Sequence, residues 1–148
     1  MRLTQHTDFA LRTLIHLALC EGRQASIAEI ARAFAISEAH LMKIVHELGR
    51  LGYLATMRGR GGGLRLARPP EQINVGAVVR AMERDMALAE CFGAAGACAI
   101  AGPCRLQPML AEALDSFLAV LDRHTLDDLI WPHALALRAR LGIESPAA

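Results

Sequence analysis

The sequence predicts a mainly α-helical chain built on a winged helix-turn-helix, and three observations carry that prediction. Apolar residues recur at helical spacing from Phe9 to Leu51. Two short helical segments meet at "FAIS" with only a tight turn between them. The period then shortens to that of strands on either side of a glycine cluster, in "YLATMRGRGGGLRLAR". Beyond this unit lie a cysteine-bearing loop and a long helix suited to dimerisation, so the expected divisions are 1–70, 71–130 and a C-terminal tail, 131–148.

Each element has a local cause. Thr4 can cap a first helix in which Phe9, Leu11, Leu14, Ile15 and Ala18 share a face, ending near Glu21 and Gly22. Ser26 with Glu29 three residues later has the signature of a capping box, which predicts the start of a second helix. Ser37 can cap a third, with Leu41, Ile44, Val45, Leu48 and Leu51 inward, and Gly52 stops it. Leu54, Leu64 and Leu66 are the apolar positions of a hairpin that Pro69 and Pro70 end. Asn74 caps a fourth helix running to about Arg84, and Gln107 to His124 forms a fifth. On that last helix Leu110, Leu114, Phe117 and Leu121 recur at spacings of four, three and four, a seam suited to pairing with another helix.

A chain of 148 residues with 53% hydrophobic composition can bury one good core with an appendage, not two large domains. It has no apolar run of about 18 residues, and its N-terminus lacks a secretory pattern, so it is expected to be cytoplasmic and free of membranes. In that reducing compartment the four cysteines are expected to be free, metal-bound or redox-active rather than paired. The net charge of +1 hides an asymmetry. Residues 1–70 carry ten Lys and Arg against five Asp and Glu, and the remainder six against ten. A basic half joined to an acidic half is the pattern of a nucleic-acid reader attached to something else.

In a winged helix-turn-helix the start of the third helix enters the major groove of double-stranded DNA. Ser37, Glu38, His40 and Lys43 are the expected contacts there, with Arg50 at the rim. Ala35 stands where such turns often place glycine. Arg58 and Arg60 at the hairpin tip can reach phosphates or a narrow minor groove, with Arg65 and Arg68 beyond them. The competing reading is a solvated basic turn. A phosphate-binding loop is disfavoured, since the glycines lack both the lysine and the following helix it requires.

The segment "ECFGAAGACAIAGPC" places Cys91, Cys98 and Cys104 at spacing C-x6-C-x5-C among small residues. Thiolates are soft ligands for iron–sulfur clusters and zinc, and long gaps suit a bulky cluster better than the tight knuckles of structural zinc sites. Zinc, a metal-free thiol switch and inert cysteines stay as alternatives. For a fourth ligand, Cys20 reads first as a core residue, while Glu90, Gln107 and Asp8 offer oxygen. Asp8 could equally serve the dipole of the first helix.

The combination of "LTQHTDFALR", "ISEAHLMKIVHELGRLGYLATMRGRGGGLRLARPPEQINVGAVVRAME" and the three-cysteine loop resembles the cluster-binding winged-helix transcriptional regulators, over about residues 1–130. That resemblance implies a homodimer crossed through the long helix. It also implies one iron–sulfur cluster per subunit, [2Fe-2S] or [4Fe-4S], held by Cys91, Cys98 and Cys104. The likeness is greatest to the nitric-oxide-responsive repressors, because Gln107 stands where other members carry a ligand histidine, and Asp8 matches an aspartate that completes the cluster from the partner subunit. The six-residue first gap departs from several relatives, which have five.

The resemblance thus implies a repressor of a near-palindromic operator that is released when nitric oxide reacts with the cluster. The alternatives are a sensor of iron or cluster status with the same architecture and, from another class, an electron-transfer protein. No enzyme is expected, since no nucleophile and base are spelled out. The six histidines (His6, His16, His40, His46, His124 and His133) show no metal-ligand spacing, and each reads as a surface or core residue, with His40 a possible DNA contact.

Overall fold

The structure, a computed structural model, describes residues 2–57, 59, 62–93 and 98–144. Helix α1 (Gln5–Leu19) begins where the Thr4 side chain accepts a hydrogen bond from the Thr7 amide. Helix α2 (Ile27–Phe34) is capped by Ser26 on the Glu29 amide, and α3 (Glu38–Arg50) by Ser37 on the His40 amide. In each case the cap hydroxyl satisfies an amide that the helix itself leaves unpaired. The turn between α2 and α3 forces Ala35 into the left-handed region at φ 53°, the conformation for which glycine is the usual choice.

Strands β1 (Leu54–Met57) and β2 (Gly63–Leu66) pair antiparallel, Leu54 opposite Leu66 and Met57 opposite Gly63. The wing is sewn to the helices by a further bridge. The Leu64 amide donates to the Ala25 carbonyl at 2.8 Å, and the Ala25 amide returns the bond at 3.0 Å. A Cβ on Gly63 would lie 2.9 Å from that Ala25 carbonyl, so this close approach requires glycine. One core unites these parts: Leu14, Ile30, Leu41, Ile44, Leu48 and Leu64 are all fully buried, with α1 at the centre.

Helix α4 (Val75–Met82) is capped by Asn74 and ends two residues short of the expected Arg84. The Glu83 backbone turns extended, and its carboxylate accepts from the Thr4 amide at 3.0 Å and the Thr7 hydroxyl at 2.7 Å. Helix α5 (Leu106–Asp122) stops before His124, because Arg123 and His124 form a turn. The His124 carbonyl there accepts from the Val75 amide, and the Asn74 amide group donates to the Asp122 carbonyl. Arg80 and Asp122 pair across the same joint.

Two further helices follow, where the sequence reading assigns no element. Helix α6 (Leu126–Ile130) starts from a capping box between Thr125 and Asp128, and α7 (Ala134–Leu141) ends at Gly142 in the left-handed region. Both pack against α1. Arg138 of α7 is 8% exposed yet fully partnered, donating to the Leu19 carbonyl at 2.9 Å and pairing with Glu21. Among the described residues no helix is long and apolar enough to cross a membrane.

Candidate nucleic-acid interface and cysteine loop

The amphipathic pattern of α3 decides what it presents. With Leu41, Ile44, Val45 and Leu48 buried, Glu38, Lys43, His46 and Arg50 are left outward and exposed. An open groove of about 1030 Å³ runs along this face, lined by Ser37, Lys43, His46, Arg50 and Arg84 among others. His46 and Arg84 were not among the expected contacts. Arg84 reaches the groove only because α4 ends beside α3, which no local pattern announces. Ser37 is exposed, but its hydroxyl is engaged in capping the helix.

His40 occupies a different setting. Its ring is half-buried, edge-on to Phe9 at 5.3 Å and stacked on His6 at 6.2 Å, so it ties α3 to α1 as well as facing the groove. His6 in turn lies 2.7 Å from Glu47 of α3. Arg58 and Arg60 lie outside the described residues. Arg65 and Arg68 are both exposed, but Arg68 folds back along the wing, donating to the Gly52 carbonyl at 3.0 Å and stacking 5.0 Å over the Tyr53 ring. It braces the base of the wing.

Asp8 projects from the first turn of α1 with its side chain 42% exposed, held by Arg12 one turn later at 2.9 Å. Its outward position is open to a second chain. Cys91 lies in a 3-10 turn (Glu90–Phe92), and Cys104 lies just before α5. Cys98 follows residues 94–97, which are outside the described set. All three thiols are free and half-buried. Gln107, at the start of α5, donates to the Cys91 carbonyl at 2.9 Å and so fastens the loop to the long helix. The three sulfurs are not gathered within 4.8 Å of one another, as donors to a single ion would be. Three free, half-buried thiols on a loop of small residues are soft donors of the kind that hold iron–sulfur clusters, so the chemistry of the donor set suits one. Cys20, by contrast, is 4% exposed in the core, and burial pushes its thiol pKa up.

The expected seam of α5 is half-buried throughout at Leu110, Leu114, Phe117 and Leu121. Leu114 and Phe117 line a cavity of about 360 Å³ with Leu3, Met86 and Leu88 of the same chain. Leu106, Met109 and Val120 are 57%, 65% and 45% exposed. At about 100° per residue these positions and the seam together form one apolar face roughly 140° wide, broader than the chain itself covers.

Residues 3–132 match the model of a family described as "Rrf2: Iron-dependent Transcriptional regulator". The HTH-type transcriptional regulator NsrR of Geobacillus kaustophilus is 52% identical over 143 residues, 95% of this chain and 97% of that protein. NsrR of Bacillus subtilis is 50% identical over 132 residues, 88% of this chain and 90% of that protein. Among solved structures, CymR, the global cysteine regulator of B. subtilis, matches with a TM-score of 0.72 at 26% identity, covering 87% of this chain and 95% of that one. IscR of T. potens shares the fold at a TM-score of 0.71 and 23% identity, covering 88% and 86%. The basic groove on α3, the wing beside it and these likenesses agree: the chain belongs to the Rrf2 family of transcriptional regulators, DNA-binding winged-helix proteins rather than enzymes.

Proposed function

We propose that this chain is a cytoplasmic homodimeric repressor whose hold on a near-palindromic operator depends on an iron–sulfur cluster and is broken by nitric oxide. Residues 1–70 carry the DNA interface, and 71–130 carry the cluster loop and dimer helix. The observation that carries the reading is the set of three free, half-buried thiols at Cys91, Cys98 and Cys104, in a chain half identical to proteins named NsrR. These cysteines would hold the cluster, with the partner subunit's Asp8 as an oxygen ligand. When bound, the cluster would supply iron able to take up a small diatomic molecule.

The chain's own residues relate the loop to the DNA face. The loop leaves α4 directly after Glu83, whose carboxylate holds Thr4 and Thr7 at the start of α1. From α1, His6 reaches Glu47 of α3, and Phe9 packs on His40. At the loop's other end Gln107 fixes Cys91 to α5. The position of the loop, the start of α1 and the recognition helix are therefore set by one chain of contacts. In a dimer α5 sets the separation of the two recognition helices, and hence the half-site spacing.

The family's description as iron-dependent favours a second reading, a sensor of iron or cluster status. One experiment separates the two. Cluster-loaded protein is titrated anaerobically with nitric oxide, and in parallel with an iron chelator, while operator binding is followed. Loss of binding within a few equivalents of nitric oxide per cluster is expected. Binding that survives nitric oxide but falls with the chelator would overturn the first reading in favour of the second. Alanine at Cys91, Cys98 or Cys104 is expected to remove the visible cluster absorption, and Cys20→Ala to keep it.

A further inference from the structure

A second group of donor atoms lies away from the cysteine loop, where α1 turns into α2. His16 and Cys20 stand four residues apart on the last turn of α1 and its cap, so they share a face of the helix. Glu29, in the first turn of α2, approaches them from across the junction. One donor atom from each of the three lies within 4.8 Å of the other two, and His16 Nε2 is already 3.2 Å from Glu29 Oε1. Four ligands at zinc bond lengths sit roughly 3.5 Å apart, so the group needs to contract by about an ångström. His16 and Cys20 are 0% and 4% exposed.

We propose that His16, Cys20 and Glu29 form a binding site for a divalent transition-metal ion of zinc character, and that Arg23 takes the ion's place in the metal-free chain. The chemistry of the donors selects the ion. One imidazole nitrogen, one thiol sulfur and one carboxylate oxygen make a borderline-soft set that suits zinc or cobalt and disfavours calcium and magnesium. His16 Nε2 donates to the Glu29 carboxylate and so carries the ring proton; ligation through Nε2 would move that proton to Nδ1, which is buried without a partner. The position of Arg23 marks where positive charge belongs. Its Nη2 lies 2.6 Å from Glu29 Oε1 and 3.4 Å from Cys20 Sγ, between two of the ligands. That side chain is 46% exposed and sits on the connecting turn, so it can swing into solvent. Coordination would release the Cys20 thiol proton to water. The thiolate and the Glu29 carboxylate would then balance the charge of a divalent ion, with water as fourth ligand. The signal in the sequence is the four-residue step from His16 to Cys20. It differs from the common zinc spacings, and Glu29 joins it only through the packing of α2 on α1.

The competing account makes Arg23 and Glu29 a simple ion pair that holds the turn, and the two accounts part on Arg23→Ala. The test uses the full chain carrying Cys91→Ser, Cys98→Ser and Cys104→Ser, which removes the loop thiols, with cobalt(II) alone as probe. The expected result is one cobalt per chain, with a thiolate-to-cobalt charge-transfer band in the near ultraviolet. Cys20→Ser should abolish that band. Glu29→Gln should weaken binding by at least roughly tenfold. Arg23→Ala should tighten it by about two- to fivefold, since a competing cation has gone. Circular dichroism of each variant checks that the helices persist, and Glu29→Gln keeps the test alive if Cys20→Ser does not fold. Absence of the thiolate band, its survival in Cys20→Ser, undiminished affinity in Glu29→Gln or weaker binding in Arg23→Ala would each overturn the site.

Discussion

Met109→Asp separates the proposed dimer from the fold. Met109 is 65% exposed on α5, on the same face as Leu106 at 57% and Val120 at 45%. Because the chain itself leaves these side chains largely uncovered, changing Met109 removes almost no intramolecular packing, and the effect on monomer stability should stay within about 0.5 kcal/mol. A dimer joined through α5 responds differently. Covering the exposed part of each side chain contributes about 1 kcal/mol, roughly 6 kcal/mol for three residues counted twice by two-fold symmetry. The aspartate forfeits the Met109 share on both subunits and places two like carboxylates in the interface, at a cost of several kcal/mol each. The dissociation constant should rise by at least about a thousandfold. Sedimentation across a concentration series would show a monomer with unchanged helical signal and melting temperature, and operator binding should fall with it. A dimer of wild-type strength from Met109→Asp would refute the assignment of this face.

Three further outcomes follow from the packing and the charges. Leu48 is fully buried in α3, so Leu48→Ala should cost about 3 kcal/mol in urea denaturation, and a loss under 1 kcal/mol would mean the core is not packed as described. Ala35 lies in the left-handed region at φ 53°, so Ala35→Gly should stabilise the protein by about 1 kcal/mol without altering operator affinity; a lower melting temperature would contradict that backbone conformation. In the metal-free protein, stability should fall with acid in two steps. Burial holds the His16 pKa below 6.5, so the unfolded chain takes up a proton there as pH drops below that value. Glu29 is held at about 2 rather than 4.5, chiefly by the hydrogen bond from Arg23, and its stabilisation is lost between those values, about 1 kcal/mol after solvent screening. Urea melts at about pH 7, 5 and 3 should show Glu29→Gln losing the lower step. Parallel curves for the two proteins would dismiss it.

What could be read in the sequence follows the range of the interactions. Thr4, Ser26, Ser37 and Asn74 were legible as caps because each satisfies an amide only three residues away, and all four do so. The hairpin was legible through its change of period. Helix α6 carries its signal in Thr125 and Asp128, a capping box with aspartate in place of the usual glutamate. Helix α7 has no clear apolar stripe: Leu135 is 75% exposed while Arg138 is buried, a reversal that makes sense only once the Leu19 carbonyl and Glu21 are beside it. The three cysteines stood out by type and spacing. The seating of His40 on Phe9 and the entry of Arg84 into the α3 groove did not, since both depend on how α1 and α4 meet α3.

These long-range contacts converge on α1, which explains why a central helix carries so many polar side chains. A helix serving only as core would favour aliphatic residues, yet Thr7, Thr13 and His16 are each 0% exposed. Thr13 donates back to the Phe9 carbonyl and is satisfied within the helix. Thr7 and His16 look outward, to Glu83 at the root of the cysteine loop and to Glu29 of α2. An unpartnered buried hydroxyl or imidazole costs more than its hydrogen bond returns, so these pairings restrict how α1 can sit against its neighbours more sharply than interchangeable apolar contacts do. Glu83 and Glu47 grip the first turn of α1, Glu29 its last, and Arg138 the final carbonyl. A shift along the axis of α1 must therefore break several directional contacts together. Polar residues thus specify one seating of the helix that lies between the loop and α3, and any other seating would have to exchange these directional contacts as a set.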